Sequence, residues 1–273
     1  MKSIYGTVGY SYLKNKNKIL LFADKHDTLP SCPNKINMAP WLKSKFKSSI
    51  ILLEEVPRID DKLVGLWEAA EHTKELKDMY LENPEIVKPV DIRHFILPFS
   101  WEIIDKKDNT LLEDYIKNMN LFFCLKNEYL ITNLSIYNIQ KLKYSDLGKH
   151  FLEVKEEYRM FLEQLVKLKL LKKTIYYIVQ NHSNYLEEIN GLASKIMEWY
   201  ICACIQQYND KSLLIHVGLA HSEQILDLLQ TKYYYTLEEE NGINKLENIY
   251  SSKLSGCVQI SDHLNQQFGG YFY

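Results

Sequence analysis

Arginine is almost missing: Arg58, Arg93 and Arg159 stand against 30 lysines in 273 residues. Net charge is missing too. Lys+Arg of 33 and Asp+Glu of 35 leave a formal −2, which excludes bulk electrostatic attraction to nucleic acid or an anionic membrane surface. No apolar run reaches the ~18 residues of a membrane span. The opening MKSIYGTVGYSYLKNKNK is polar and Tyr-rich where a signal peptide would be apolar, so the expected location is cytoplasmic. The five cysteines (Cys32, Cys124, Cys202, Cys204 and Cys257) are odd in number and scattered, with no CxxC pair. Neither a disulfide framework nor a zinc ribbon is expected from them; they read as reduced, mostly buried thiols. Cys202 and Cys204 lie two apart on an expected helix and therefore point about 200° away from each other, too far to grip one metal.

What the chain does hold is 20 Tyr with many Lys, Asn and Ile, the skew that an AT-rich genome imposes, as in some protists and large DNA viruses. Against that drift a surviving Arg carries information, because only guanidinium presents a planar fork of donors to a carboxylate or oxyanion. With 46% hydrophobic and 25% charged residues the composition is that of an ordinary globular protein with a sizeable core.

Apolar periodicity divides the chain into strands and helices. GTVGYSYL and KILLFADKH read as a hairpin across the turn at Asn15, Lys16 and Asn17. Met38 to Lys47 reads as a short helix, SIILLEE as an apolar strand stopped by Pro57, and Asp61 to Glu82 as a surface helix closed by Asn83 and Pro84. IVKPVDIRHFI reads as a third strand. Residues 110–209 repeat apolar positions every three or four residues with almost no Gly or Pro, which predicts three or four long helices. SLLIHVGL is a fourth strand, followed by a helix over Glu223 to Gln230, a Tyr-rich strand over Tyr233 to Leu237 and an edge strand GCVQI. Nearly continuous apolar strands alternating with helices predict one α/β domain. Its central sheet is largely parallel or mixed and flanked by helices, with residues 110–209 as a helical insertion or cap.

In such sheets ligands sit beyond the carboxyl ends of the strands. Four apolar runs end there in chemistry-bearing residues: Asp24, His26 and Asp27; Glu54 and Glu55; Asp91, Arg93 and His94; Gly218 and His221. A charged residue at any one strand end is often only a strand running into water. Half of the eight histidines in or just after these strands is a stronger pattern. His216, inside its run, reads instead as a core residue with a local hydrogen bond.

The segments FADKHD, IILLEEVPR, PVDIR and LLIHVGLAH, in that order, resemble the superfamily of the erythromycin esterases, ChaN haem-binding proteins, TraB proteins and TIKI metalloproteases. The resemblance spans about residues 18–95 and 212–237. That superfamily carries a GxxH or GExxH motif, a strand ending in Glu, an Arg, and a second GxxH. The matching positions are Ala23 to His26, Glu54 or Glu55, Arg58 or Arg93, and Gly218 to His221, with Ala23 where the family has Gly. The resemblance implies a hydrolase of ester or amide bonds acting on a small-molecule or peptide substrate, with His26, Glu54, Glu55, Arg93 and His221 as catalytic candidates. In one form of the chemistry His26, Glu54 or Glu55, and His221 hold a divalent metal (Mn, Zn or Co) with water in an open position, and Asp24 or Asp27 orients an imidazole. In the other a His acts as general base while Arg93 steadies the oxyanion.

Two alternatives accompany that expectation. A non-enzymatic member of the same fold, haem-binding or a decoy, would keep the architecture alone; Tyr is abundant enough for Tyr ligation, but none stands in the motifs. A metallophosphoesterase would use Asp24 and His26 as its DxH, with Asn181, His182 and His221 behind, but lacks the GDxxD motif. A Cys nucleophile would have only Cys257 at a strand end.

Overall fold

The computed structural model describes residues 3–57, 71–97, 109–124, 126, 145–250 and 254–269. The chain forms two compact units, Met1–Asp91 with Ile201–Tyr273, and Ile92–Tyr200.

The first unit is α/β. Its elements begin with β1 (Ser3–Tyr5), β2 (Gly9–Lys14), β3 (Lys18–Asp24), β4 (Lys35–Asn37), α1 (Met38–Lys43), β5 (Ser49–Leu53), α2 (Glu71–Glu82) and β6 (Val87–Pro89). A six-stranded sheet runs β6-β5-β7-β3-β2-β8, where β7 is Ser212–Gly218 and β8 is Thr236–Gly242. β6, β5, β7 and β3 are parallel, whereas β2 pairs antiparallel with β3 and with β8. The mixed sheet follows from sequence: a three-residue turn can reverse β2 into β3, while the parallel strands are joined by helical crossovers. β3 and β7 read KILLFAD and SLLIHVG and are buried throughout after the first residue, as strands covered on both faces must be. A second sheet, β4-β1-β9, pairs the N-terminal strand with β9 (Cys257–Gln259), the expected GCVQI edge strand. Tyr10, Phe22, Trp41, Met79 and Phe268 belong to one buried hydrophobic cluster of this unit.

Three expectations change. The strand expected over IVKPVDIRHFI stops at Pro89, and Arg93–Phe95 is a single 3-10 turn. The expected Tyr-rich strand shifts to the acidic stretch Thr236–Gly242, because Tyr234 is left-handed (φ 59°) and breaks the extended run. The reading of all cysteines as reduced thiols is overturned: Cys32 is bonded to Cys257 across a sequence separation of 225. Folding brings the loop after β3 beside β9, a proximity that no local spacing encodes. Cys202 and Cys204 are buried free thiols, and Cys124 is exposed.

The second unit contains α3 (Leu112–Tyr115), α4 (Lys117–Phe123), α5 (Asp146–Lys167), α6 (Ile175–Asn181) and most of α7 (Ser183–Gln207). Ser145 caps α5 by accepting from Gly148 N at 3.1 Å. Phe122, Phe123, Phe151, Tyr158 and Trp199 interlock ring on ring, and Trp199 donates Nε1–H to Leu147 O at 3.1 Å. α8 (Leu219–Thr231) and α9 (Asp262–Gln267) complete the first unit. Among the described residues no helix is long and apolar enough to cross a membrane.

Candidate active site at the strand ends

β5, β7 and β3 are neighbours in the sheet, so their carboxyl ends come together although β7 lies far along the chain from both partners. Two ends finish in the same way. Asp27 N donates to Lys25 O at 2.6 Å and Glu55 N to Leu53 O at 2.7 Å, which places His26 and Glu54 each at the centre of a three-residue turn. The turn lifts each side chain out of the sheet ladder. β7 ends instead in Gly218, which begins α8, and His221 falls in the first helical turn, where side chains lean back toward the strand end.

The side chains form one chain of contacts. His26 Nδ1 lies 3.2 Å from Asp24 Oδ2, and its Nε2 lies 3.3 Å from Glu54 Oε2. His221 Nε2 is 3.5 Å from Glu54 Oε1. Gly218 N donates to Glu54 Oε2 at 2.6 Å. The carboxylate of Glu54, 4% exposed, is therefore shared by two imidazoles and a backbone amide, while His26, 29% exposed, is the member that meets solvent. Gly218 leaves room for this contact: a Cβ there would stand 2.9 Å from His26 Nε2 and 3.3 Å from Glu54 Oε2, so a larger residue would push the imidazole aside. Ala23, by contrast, is an ordinary strand residue paired with Gly9 and Val217, and the turn comes three residues later.

Electrostatics follow from these contacts. Burial alone would raise the Asp24 carboxyl, but hydrogen bonds from His26 and His72 reverse this and hold it well below the usual carboxylate range. Burial works against a charged His26, yet hydrogen bonds to Asp24 and Glu54 push it up to about 10, so it is an imidazolium at neutral pH. Glu55 is pushed up to about 7 by burial, with Lys77 opposing and Asp91 and Glu54 adding to the rise. Burial pushes His216 down; its Nε2–H is donated to Gly6 O at 2.8 Å, the local bond expected of a core histidine.

Of the expected site residues, His26, Glu54 and His221 are brought together, and between the two glutamates it is Glu54 that meets both imidazoles. Asp24, not Asp27, orients His26; Asp27 is exposed and pairs with Lys25 at 3.3 Å. Arg93 is buried in the second unit, on its 3-10 turn, and Arg58 lies outside the described residues. Arg159 does use its fork, on Glu156 and Glu163, but at an exposed helix surface. His72 escaped the sequence reading. It is buried on α2, with Nε2 3.1 Å from each oxygen of Asp24. The signal was a histidine standing in the apolar stripe with Leu76 and Tyr80. Cys257, being bonded to Cys32, is no nucleophile.

The donor types of His26, Glu54 and His221 are those of a zinc or manganese site. Among the described residues, however, no group of three or more His, Cys, Asp or Glu is gathered so as to hold an ion. No protein-family model, no curated protein and no solved structure matches this chain.

Proposed function

We propose that the chain is a hydrolase of ester or amide bonds, a divergent relative of the erythromycin esterase, ChaN, TraB and TIKI proteins. One observation carries this reading: imidazoles from two distant strand ends turn their Nε2 atoms onto a single, almost buried carboxylate, and one of them is open to solvent. A purely structural ion pair has no need of the second imidazole or of a glycine kept bare beside it.

In this reading each group has one task. Asp24 and Glu54 hold His26 as a cation, and its solvent-facing Nε2–H would pass from Glu54 to the oxyanion that forms when a carbonyl is attacked, while Gly218 N–H keeps its bond to Glu54. Glu55, next in the chain to Glu54 and near enough to feel the charges of Glu54 and His26, has its carboxyl pushed up to about 7 by burial and would take a proton from water and return it to the leaving group. Glu54, fixed by Gly218 N–H, keeps the two imidazoles in register. A second reading keeps the donor types of the same residues: drawn closer together than they stand here, His26, Glu54 and His221 would hold a divalent metal, which would supply a nucleophilic water at neutral pH, and Asp24 behind His26 would set its tautomer. The Cys32–Cys257 bridge argues for an oxidising setting over a reducing cytosol.

The deciding experiment is hydrolysis of an ester and peptide panel by the purified protein, with its metal content measured and with manganese, zinc or cobalt added. Hydrolysis that His26→Ala lowers by about a hundredfold or more is expected. Absence of any hydrolysis sensitive to His26→Ala, under every metal condition, sinks the proposal in favour of a binding protein.

A further inference from the structure

We infer that His72 is a positioning residue of this site: by bonding both oxygens of Asp24 it fixes the carboxylate that aims the His26 ring at Glu54. The inference rests on the hydrolase reading for its kinetic arm and on geometry alone for its spectroscopic arm.

Asp24 is 1% exposed, so water cannot orient its carboxylate. His26 Nδ1 stands 3.2 Å from Asp24 Oδ2, and a single contact of that kind leaves the carboxylate able to turn about its Cβ–Cγ bond, whose torsion is broad. His72 removes that freedom. Its Nε2 stands 3.1 Å from Oδ1 and 3.1 Å from Oδ2, a donor shared evenly across the carboxylate.

His72 is itself seated. The ring of Tyr5 meets it edge-on at a centroid distance of 6.1 Å. Gly6, at φ 104°, lets the helix approach: a Cβ there would come within 3.3 Å of His72 Cβ and 3.4 Å of Cδ2. The carbonyl of that same Gly6 accepts from His216. The connection from β1 to β2 thus holds α2 at the distance His72 requires, and the order of contacts runs Gly6, His72, Asp24, His26, Glu54, His221. Of these side chains His26 is the most open to solvent, at 29%, whereas His72, at 2%, is buried behind Asp24 and acts through it.

A histidine that merely satisfied a buried aspartate would affect stability and leave the His26 ring where it is. A positioning residue changes His26 itself. The test compares His72→Phe, which keeps a ring and loses the donor, with His72→Gln, whose amide reaches about as far as Nε2. Both are assayed as full-length folded protein below the melting temperature. For His72→Phe, kcat falls about 10- to 100-fold with KM little changed. The hydrogen-bonded Nδ1–H proton resonance of His26, identified by its absence in His26→Ala, shifts or disappears. His72→Gln restores both. If His72→Phe does not fold, His72→Asn, too short to span both oxygens, is read in its place with the same losses expected. A folded variant with an unmoved His26 resonance and wild-type kcat overturns the inference while leaving the hydrolase reading intact. Should His26→Ala leave hydrolysis unchanged, the hydrolase reading fails instead, and the resonance still decides the role of His72.

Discussion

The two units bury different things. In the first, Asp24, Asp91, His72, His216 and His221 are buried in or beside the carboxyl ends of apolar strands; in the second, interlocked aromatic rings dominate the core, although Arg93, His150 and Glu198 are buried there as well. Burying charge costs free energy unless each group is paired, whereas burying rings stabilises directly. In the first unit His72, Asp24, His26, Glu54 and His221 also touch one another in series, and it is on that network, not on burial alone, that the proposed hydrolase chemistry rests.

Substitutions in the two units sharpen that contrast. Trp199→Ala empties the aromatic core and is expected to lower stability by about 3 to 5 kcal/mol, read by denaturant unfolding. A much smaller loss would mean that the second unit does not depend on its ring cluster. His26→Ala should show mainly in rate, a loss of about a hundredfold, equivalent to about 2.7 kcal/mol of barrier, with a fall in melting temperature that fades as pH rises toward 10. Gly218→Ala lies between the two: the added methyl must displace the His26 ring from Glu54, so a rate loss of about tenfold or more with a small melting shift is expected. A variant as active as wild type would show that the close approach of Gly218 is incidental.

The pH dependence of stability should also separate the units, and its sign can be worked out. His26 has its folded value raised from 6.5 to about 10, so its contribution is complete below pH 6.5 and is lost as pH rises toward 10. Glu55, raised from 4.5 to about 7, likewise loses its contribution as pH rises from 4.5 to 7. Asp24 is depressed below 3.8, so its contribution is present above that value and is lost in stronger acid. Stability is expected to be greatest on the mildly acidic side of neutrality, and a melting series in which His26→Ala leaves the slope between pH 6.5 and 10 unchanged, or Glu55→Gln the slope between pH 4.5 and 7, would refute this. The smallest effect is chemical. In the native protein a thiol reagent should label Cys124 and spare buried Cys202 and Cys204, with Cys32 and Cys257 reacting only after reduction, as mass spectrometry of the labelled peptides would show.

Much of the first unit was legible because a buried parallel strand writes itself as an unbroken apolar run, and the residue that stops the run marks the carboxyl end. Asp24, His26, Glu54 and His221 were found in that way. His72 was not, since it sits inside a helix pattern and its partner is 48 residues away. Arg93 followed an assumed strand end where the chain in fact makes a 3-10 turn. The acidic run Glu238 to Glu240 concealed β8 because an edge strand needs no apolar face on its solvent side, and the preceding tyrosines drew the strand too early. The bridge between Cys32 and Cys257 depends on the fold of both ends at once, which spacing alone cannot convey.

That bridge closes residues 32–257 into a covalent ring. The whole second unit lies on the ring, between residues 32 and 257. A protease that nicks the backbone once anywhere inside it opens the loop but releases no fragment, and the cut protein migrates as a single species until the disulfide is reduced. Severed pieces carrying His26 and His221 would remain tethered, so the two halves of the site stay at high effective concentration after cleavage.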